Sequence, residues 1–225
     1  MSISISTNTV DALKNFLSIN KSINIRPGNV LSTVSVNKTI MGRYEVEETF
    51  PCEVPIYDLS VFIGALGLCQ SPDLDFGNSN CLVIKDNTTK SKSKIYYSDP
   101  DLITSAPDKE LELPPTDVSF TLSWENLSRL QRASSTYGVQ DLCLYGAEGS
   151  MYMCVTDKKN DTSNVYSIEL GETDNEFCHC FKMENLKLMP NHTYNVSIHA
   201  GKVAHFKSTS CNLKYWIALE PNLSK

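Results

Sequence analysis

Ser123-Trp124-Glu125-Asn126-Leu127-Ser128-Arg129-Leu130-Gln131-Arg132 reads as the opening of an amphipathic helix. Ser123 is a residue type that caps helices, and Glu125 suits the positive end of the helix dipole. Trp124, Leu127, Leu130 and Gln131 recur at helical spacing and point inward, which leaves Arg129 and Arg132 on the opposite face. Strands rich in Val, Ile, Tyr and Cys follow at residues 141–145, 150–156, 164–169 and 177–181. A short helix over Met183–Met189 is stopped by Pro190. Three further strands are expected at 193–199, 205–210 and 214–219.

The first half has the same plan. Val10, Leu13, Phe16, Leu17 and Asn20 place one stripe on a helix over Thr9–Asn20. Strands follow at 29–36 and 41–50, with turn signals at Pro27-Gly28 and Asn37-Lys38. Asp58 is a good cap for a second helix carrying Leu59, Phe62, Ile63 and Leu66, and strands resume at 80–85 and 92–97. Helix, strands, helix, strands, occurring twice, amounts to an internal duplication and an α+β fold of two similar domains. Residues 99–117 hold Pro100, Pro107, Pro114 and Pro115 among six acidic residues and read as an extended connector. A boundary near Glu110 gives domains 1–110 and 111–225.

The 225-residue chain is 41% hydrophobic and 20% charged, a composition that excludes disorder, collagen and coiled coil as the main state. Its net charge of −6 argues against a protein that coats phosphate. The longest apolar run, Val61–Cys69, is too short to span a bilayer, so no membrane is expected. Eight cysteines behind an N-terminus with no secretory signal point to reduced thiols inside a cell. The Asn-x-Ser/Thr triplets are expected by chance in a chain so rich in these residues.

Positive charge collects on the helices. Lys14 and Lys21 are seven residues apart and share one side of the first helix. Arg129 and Arg132 lie on the third, and Lys182 and Lys187 flank the short fourth. The second helix has no basic residue. Two readings are open from spacing alone: ordinary solvated faces, or one shared surface that meets a polyanion. Lys90, Lys92 and Lys94 alternate as on an edge strand guarded by lysine.

Reactive constellations are scarce. Cys178-His179-Cys180 lacks the usual zinc spacing, and in a strand His179 faces away from both thiols. Asp73-x-Asp75-x-Gly77 lacks the later glutamate of a calcium loop. No G-x-S-x-G elbow, no phosphate-cradling glycine–lysine loop and no H-E-x-x-H occur. Neither catalysis, nor a metal, nor a cofactor is expected.

Leu13-Lys14-Asn15-Phe16 through Ile19-Asn20, then Val54-Pro55-Ile56-Tyr57-Asp58-Leu59 and Phe62-Ile63-Gly64, resemble the sliding clamp of T-even-type bacteriophages. Tyr215-Trp216-Ile217-Ala218-Leu219-Glu220 is similar to the last strand of the same family. Leu127-Ser128-Arg129-Leu130, Gly138-Val139-Gln140-Asp141 and Gly149-Ser150-Met151 are more distantly similar to cellular clamps. The resemblance spans nearly the whole chain in order. It implies the DNA-clamp fold, with antiparallel sheets outside and helices inside, and a closed ring of three subunits around double-stranded DNA without sequence preference. It also implies an ATP-driven clamp loader and a tethered replicative DNA polymerase as partners. Late transcription factors are further expected partners, and the location is the cytoplasm of the infected bacterial host. Carried over by position, Lys14, Lys21, Arg129, Arg132, Lys182 and Lys187 face DNA, while Ala218, Leu219 and Pro221 dock partner peptides. The bare second helix departs from the family pattern. The rival is a secreted or virion-surface β-rich partner-binding protein with disulfides.

Overall fold

Ser6 and Ser123 open the two long helices in the same way. In the computed structural model, which describes residues 1–221, each serine hydroxyl accepts the third backbone N–H of its helix. Thr9 N and Asn126 N each lie 3.2 Å away. Such a cap satisfies one of the four N–H groups that a helix leaves unpaired. Compact units form over Met1–Glu110 and Leu111–Lys225.

In the first unit the order is β1 (Ser2–Ser4), α1 (Thr7–Ile19), β2 (Ile23–Ile25), β3 (Gly28–Val34), β4 (Ile40–Phe50), β5 (Val54–Ile56), α2 (Leu59–Gly67), β6 (Pro72–Asp75), β7 (Cys81–Asp86) and β8 (Lys92–Tyr96). β1-β6-β7-β8 form an antiparallel sheet, β3 and β4 a hairpin, and β2 pairs with β5. α1 presents Ala12, Leu13 and Phe16 to the core, and α2 presents Leu59 and Phe62; all are fully buried. Each large apolar side chain so buried stabilises by about 1.5–3 kcal/mol before ordering costs. Asn20 ends α1 by donating to the carbonyls of Val34 and Thr104 at 2.9 and 3.2 Å.

The second unit runs β9 (Thr116–Leu122), α3 (Trp124–Tyr137), β10 (Asp141–Ala147), β11 (Ser150–Thr156), β12 (Tyr166–Glu172), β13 (Phe177–Lys182), β14 (Tyr194–His199), β15 (Val203–Ser208) and β16 (Leu213–Ala218). One antiparallel sheet has the order β12-β11-β10-β13. β16, β15, β14 and β9 pair in succession, also antiparallel. Gly138 stops α3 in the left-handed conformation, φ 67°, that glycine adopts without a Cβ penalty. Tyr194, Phe206 and Tyr215 meet edge to face, and the Tyr194 hydroxyl donates to Met189 O at 2.9 Å.

Three expectations are corrected. The helix expected over Met183–Met189 is a single 3-10 turn, Met183–Asn185. Leu186 and Leu188 are both buried, an alternation that an extended chain satisfies and a seven-residue helix does not. The connector expected over residues 99–117 ends before Thr116, because β9 begins there, directly after Pro114-Pro115. The thiols are not all reduced: Cys143 and Cys180 form a disulfide, which leaves six free cysteines. The two stand directly opposite in the β10–β13 register, a pairing that separation along the chain cannot reveal. One cross-strand bond inside a well-filled core is not a disulfide framework.

Candidate nucleic-acid interface

The helical periodicity that buries Leu13 and Phe16 leaves Asp11, Lys14 and Ser18 in one row along α1, whereas Lys21, expected on the same helix side as Lys14, follows the extended Asn20 that ends the helix and lies outside that periodicity. Asp11 holds the Lys14 ammonium at 3.0 Å, three residues away, and both side chains are about half exposed. Lys21 is exposed, and no carboxylate contacts it among the described residues. Its charge reaches Asp58, whose pKa is lowered from its ordinary value. The bond from the Ser60 side chain is the main cause there, with the backbone N–H of Val61 and the charge of Lys21 adding to it. Asp58 is thereby committed to capping α2 through Ser60 N and Val61 N.

α3 repeats this pattern. Glu125, Arg129, Arg132 and Thr136 form its exposed row, opposite the buried Leu127, Leu130 and Ser134. Glu125 pairs with Arg129 at 2.5 Å. Among the described residues Arg132 makes only a long bond to Ser128 O, 3.4 Å, and the residue is exposed. α1 with Lys21 just beyond it, and α3, therefore each bring an acid, a cation paired to it, and a second cation with no acid in contact among the described residues. Exposed pairs of this kind add little stability, about 0–1 kcal/mol. α2 exposes Ser60, Val61, Gly64, Gly67 and Leu68 and presents no charge along its length.

The remaining predicted positions lie elsewhere. Lys182 ends β13 and bonds Asp141 Oδ1 at 2.6 Å across the sheet, so it stands on a strand and is already engaged. That bond raises the Lys182 pKa above its ordinary value against the cost of burial. Lys187 is half-buried between Leu186 and Leu188 and is also engaged with a neighbour. Ala218 ends β16 half-buried and Leu219 is buried, donating its N–H to Lys202 O at 2.8 Å. Of the three proposed docking residues only Pro221 is exposed.

Sequence reasoning passed over Asp11, although its i, i+3 relation to Lys14 was legible. It also passed over a cavity of about 450 Å³ between the end of α1 and the start of α2. Val36, Tyr57 and Leu102 stand exposed at its rim, brought together from three separate segments. Lys92 and Lys94 project exposed from β8, which is an edge of its sheet. Among the described residues no group of histidine, cysteine or acidic side chains is arranged to hold a metal.

Comparison with known proteins covers both units. The family model for DNA polymerase processivity factors matches residues 6–103, and that for the C-terminal part of the gp45 sliding clamp matches residues 119–221. The sliding clamp of Vibrio phage KVP40 is 34% identical, over 94% of this chain and 96% of its own. That of Enterobacteria phage T4 is 29% identical over 96% of each. In three dimensions the chain is similar to the A. fulgidus PCNA solved with the C-terminal region of FEN-1. The TM-score there is 0.72 at 11% identity, with 100% of this chain and 99% of that one covered.

Proposed function

The chain belongs to the sliding-clamp family of DNA polymerase processivity factors, and from that premise we propose that three copies close a ring around duplex DNA. In this reading the rows on α1 and α3 line the channel, with Lys14, Lys21, Arg129 and Arg132 toward the phosphates. The observation that carries it is the placement of Lys14, Arg129 and Arg132 on the exposed faces of the two long helices, opposite the buried stripes, with Lys21 exposed just past the end of α1. Tethering a polymerase needs topological linkage rather than tight binding, so a few labile phosphate contacts suffice and base readout is unnecessary. Each neutralised phosphate contributes about −0.9 to the slope of log K against log salt. Few contacts keep that dependence shallow and sliding fast.

The protein is a replication accessory factor rather than a catalyst in this reading. No glycine–lysine phosphate loop occurs in the sequence, so ring opening falls to a separate ATP-driven loader. The free edges of β8, with Lys92 and Lys94 exposed, and of β12, with Glu169 and Glu172 exposed, carry opposite charge and suit head-to-tail pairing of copies. Ala218, Leu219 and Pro221 are the proposed docking segment for polymerase and late-transcription peptides, with Pro221 as the accessible contact. The setting is the cytoplasm of an infected bacterium.

Light scattering is expected to report three times the 25.1 kDa subunit mass. Loaded protein is expected to stay on closed circular DNA and to run off once the circle is cut. A stable monomer, or equal retention on both forms, overturns the reading.

A further inference from the structure

In both DNA-facing rows the acid precedes the cations, and in both it is close enough to occupy one of them. Asp11 contacts Lys14 at 3.0 Å and Glu125 contacts Arg129 at 2.5 Å, while Lys21 and Arg132 have no acid in contact among the described residues. All four paired side chains are about half exposed or more, so burial of the helices does not require the pairs. A phosphate that approaches Lys14 or Arg129 meets a carboxylate at nearly the same place. It must displace that carboxylate or bear its repulsion, well inside the screening length of about 8–10 Å at ordinary salt. The paired cation also has its counterion built in, so meeting phosphate releases less bound salt.

We propose that Asp11 and Glu125 limit DNA affinity: each withholds one cation of its helix from the phosphates and so keeps the clamp mobile on the duplex. This rests on the reading that the α1 and α3 rows face DNA. Half the cations of the site are held in reserve, and the working contacts are Lys21 and Arg132.

The test uses the full chain and a short fluorescent duplex, with affinity followed by anisotropy between about 50 and 200 mM salt. Asp11→Asn with Glu125→Gln is expected to bind severalfold more tightly. Its salt slope is expected to steepen by about 0.9 for each freed cation that reaches a phosphate. Glu47→Gln removes an exposed acid from β4 instead and is expected to leave both quantities at their original values. Lys21→Gln with Arg132→Gln is expected to weaken binding, and thermal midpoints confirm that each variant is folded. If the cation variant weakens binding but the acid variant matches the unmodified protein, the affinity-limiting role is overturned and the DNA-facing rows stand. An equal gain from Glu47→Gln overturns it too, because net charge then accounts for the effect. If neither the cation nor the acid variant changes binding, the rows do not face DNA and both readings fall.

Discussion

Asp141 and Lys182 stand directly opposite on β10 and β13, and the ammonium donates to the carboxylate at 2.6 Å. The Asp141 side chain is only 6% exposed and also accepts the backbone N–H of Lys158. A lysine that position alone, carried over from the clamp resemblance, had marked for DNA is thus a sheet component, unlike Arg132 on its open helix face.

Lys182→Met is expected to destabilise the second unit by about 1–3 kcal/mol, because it strands a buried carboxylate that keeps only part of its bonding. Duplex affinity is expected to stay unchanged, whereas Arg129→Glu with Arg132→Glu weakens loading and processive synthesis without lowering the thermal midpoint. Since the Lys182 pKa is raised in the fold, its contribution is complete at neutral pH. It fades only as pH rises beyond the ordinary lysine value of 10.5. Denaturant titrations at pH 7 and pH 11 check the sign.

Acid stability is expected to depend on Glu48 and Asp86. Burial acts to raise the Glu48 pKa, but bonds from the Thr9 hydroxyl and from Ser6, at the start of α1, outweigh it and hold the carboxyl below its usual value. Asp86 is held at about 2, first by the backbone N–H of Gln70 and then by bonds from Thr88 and Thr89. Both groups are lowered in the fold, so their stabilisation is complete above the unfolded carboxylate range and is lost as pH falls through the folded values. The thermal midpoint is expected to be flat from pH 7 to about 5 and to fall toward pH 2. Glu48→Gln is expected to cost about 1–3 kcal/mol at pH 7 and to flatten the upper part of that fall.

Thiol counting tests the β10–β13 register. Protein denatured without reductant is expected to show six reactive thiols, and eight after reduction, with mass mapping joining Cys143 to Cys180. In the native state Cys154 is expected to alkylate slowly, because burial pushes its pKa up to about 11. Eight thiols in protein kept from reductant count against the bond.

Gly146 offers a packing test independent of charge. A Cβ at this position would collide with the carbonyl oxygen of Asn175 and the ring of Phe177, its cross-strand partner. Gly146→Ala is expected to cost about 1–3 kcal/mol, read as a lower denaturation midpoint.

Much of the fold is legible along the chain where the interactions are local. Ser123 as a cap, Asp58 as a cap, the buried stripe of Leu13 and Phe16 and the strand Ser150–Thr156 all follow from neighbours a few residues apart. The three- and four-residue strands β1, β2, β5 and β6 escaped notice, since so short a segment has almost no period to detect. The stretch Met183–Met189 ahead of Pro190 was read as a helix, because over seven residues a helical and an extended pattern of apolar residues are hard to tell apart.

The sequence by itself determined the two-fold plan of helix and strands, and the exposure of Lys14, Arg129 and Arg132, because helix geometry alone orders residues three and four apart. Only the tertiary structure decided what lies opposite what: Asp141 against Lys182, Cys143 against Cys180, and Val36, Tyr57 and Leu102 around one cavity. Strand register joins residues tens of positions apart, and shifting it by one residue exchanges the faces of a sheet. That choice is made by the collective burial of Leu142, Leu144, Met153 and Phe181, which no single stretch of chain records.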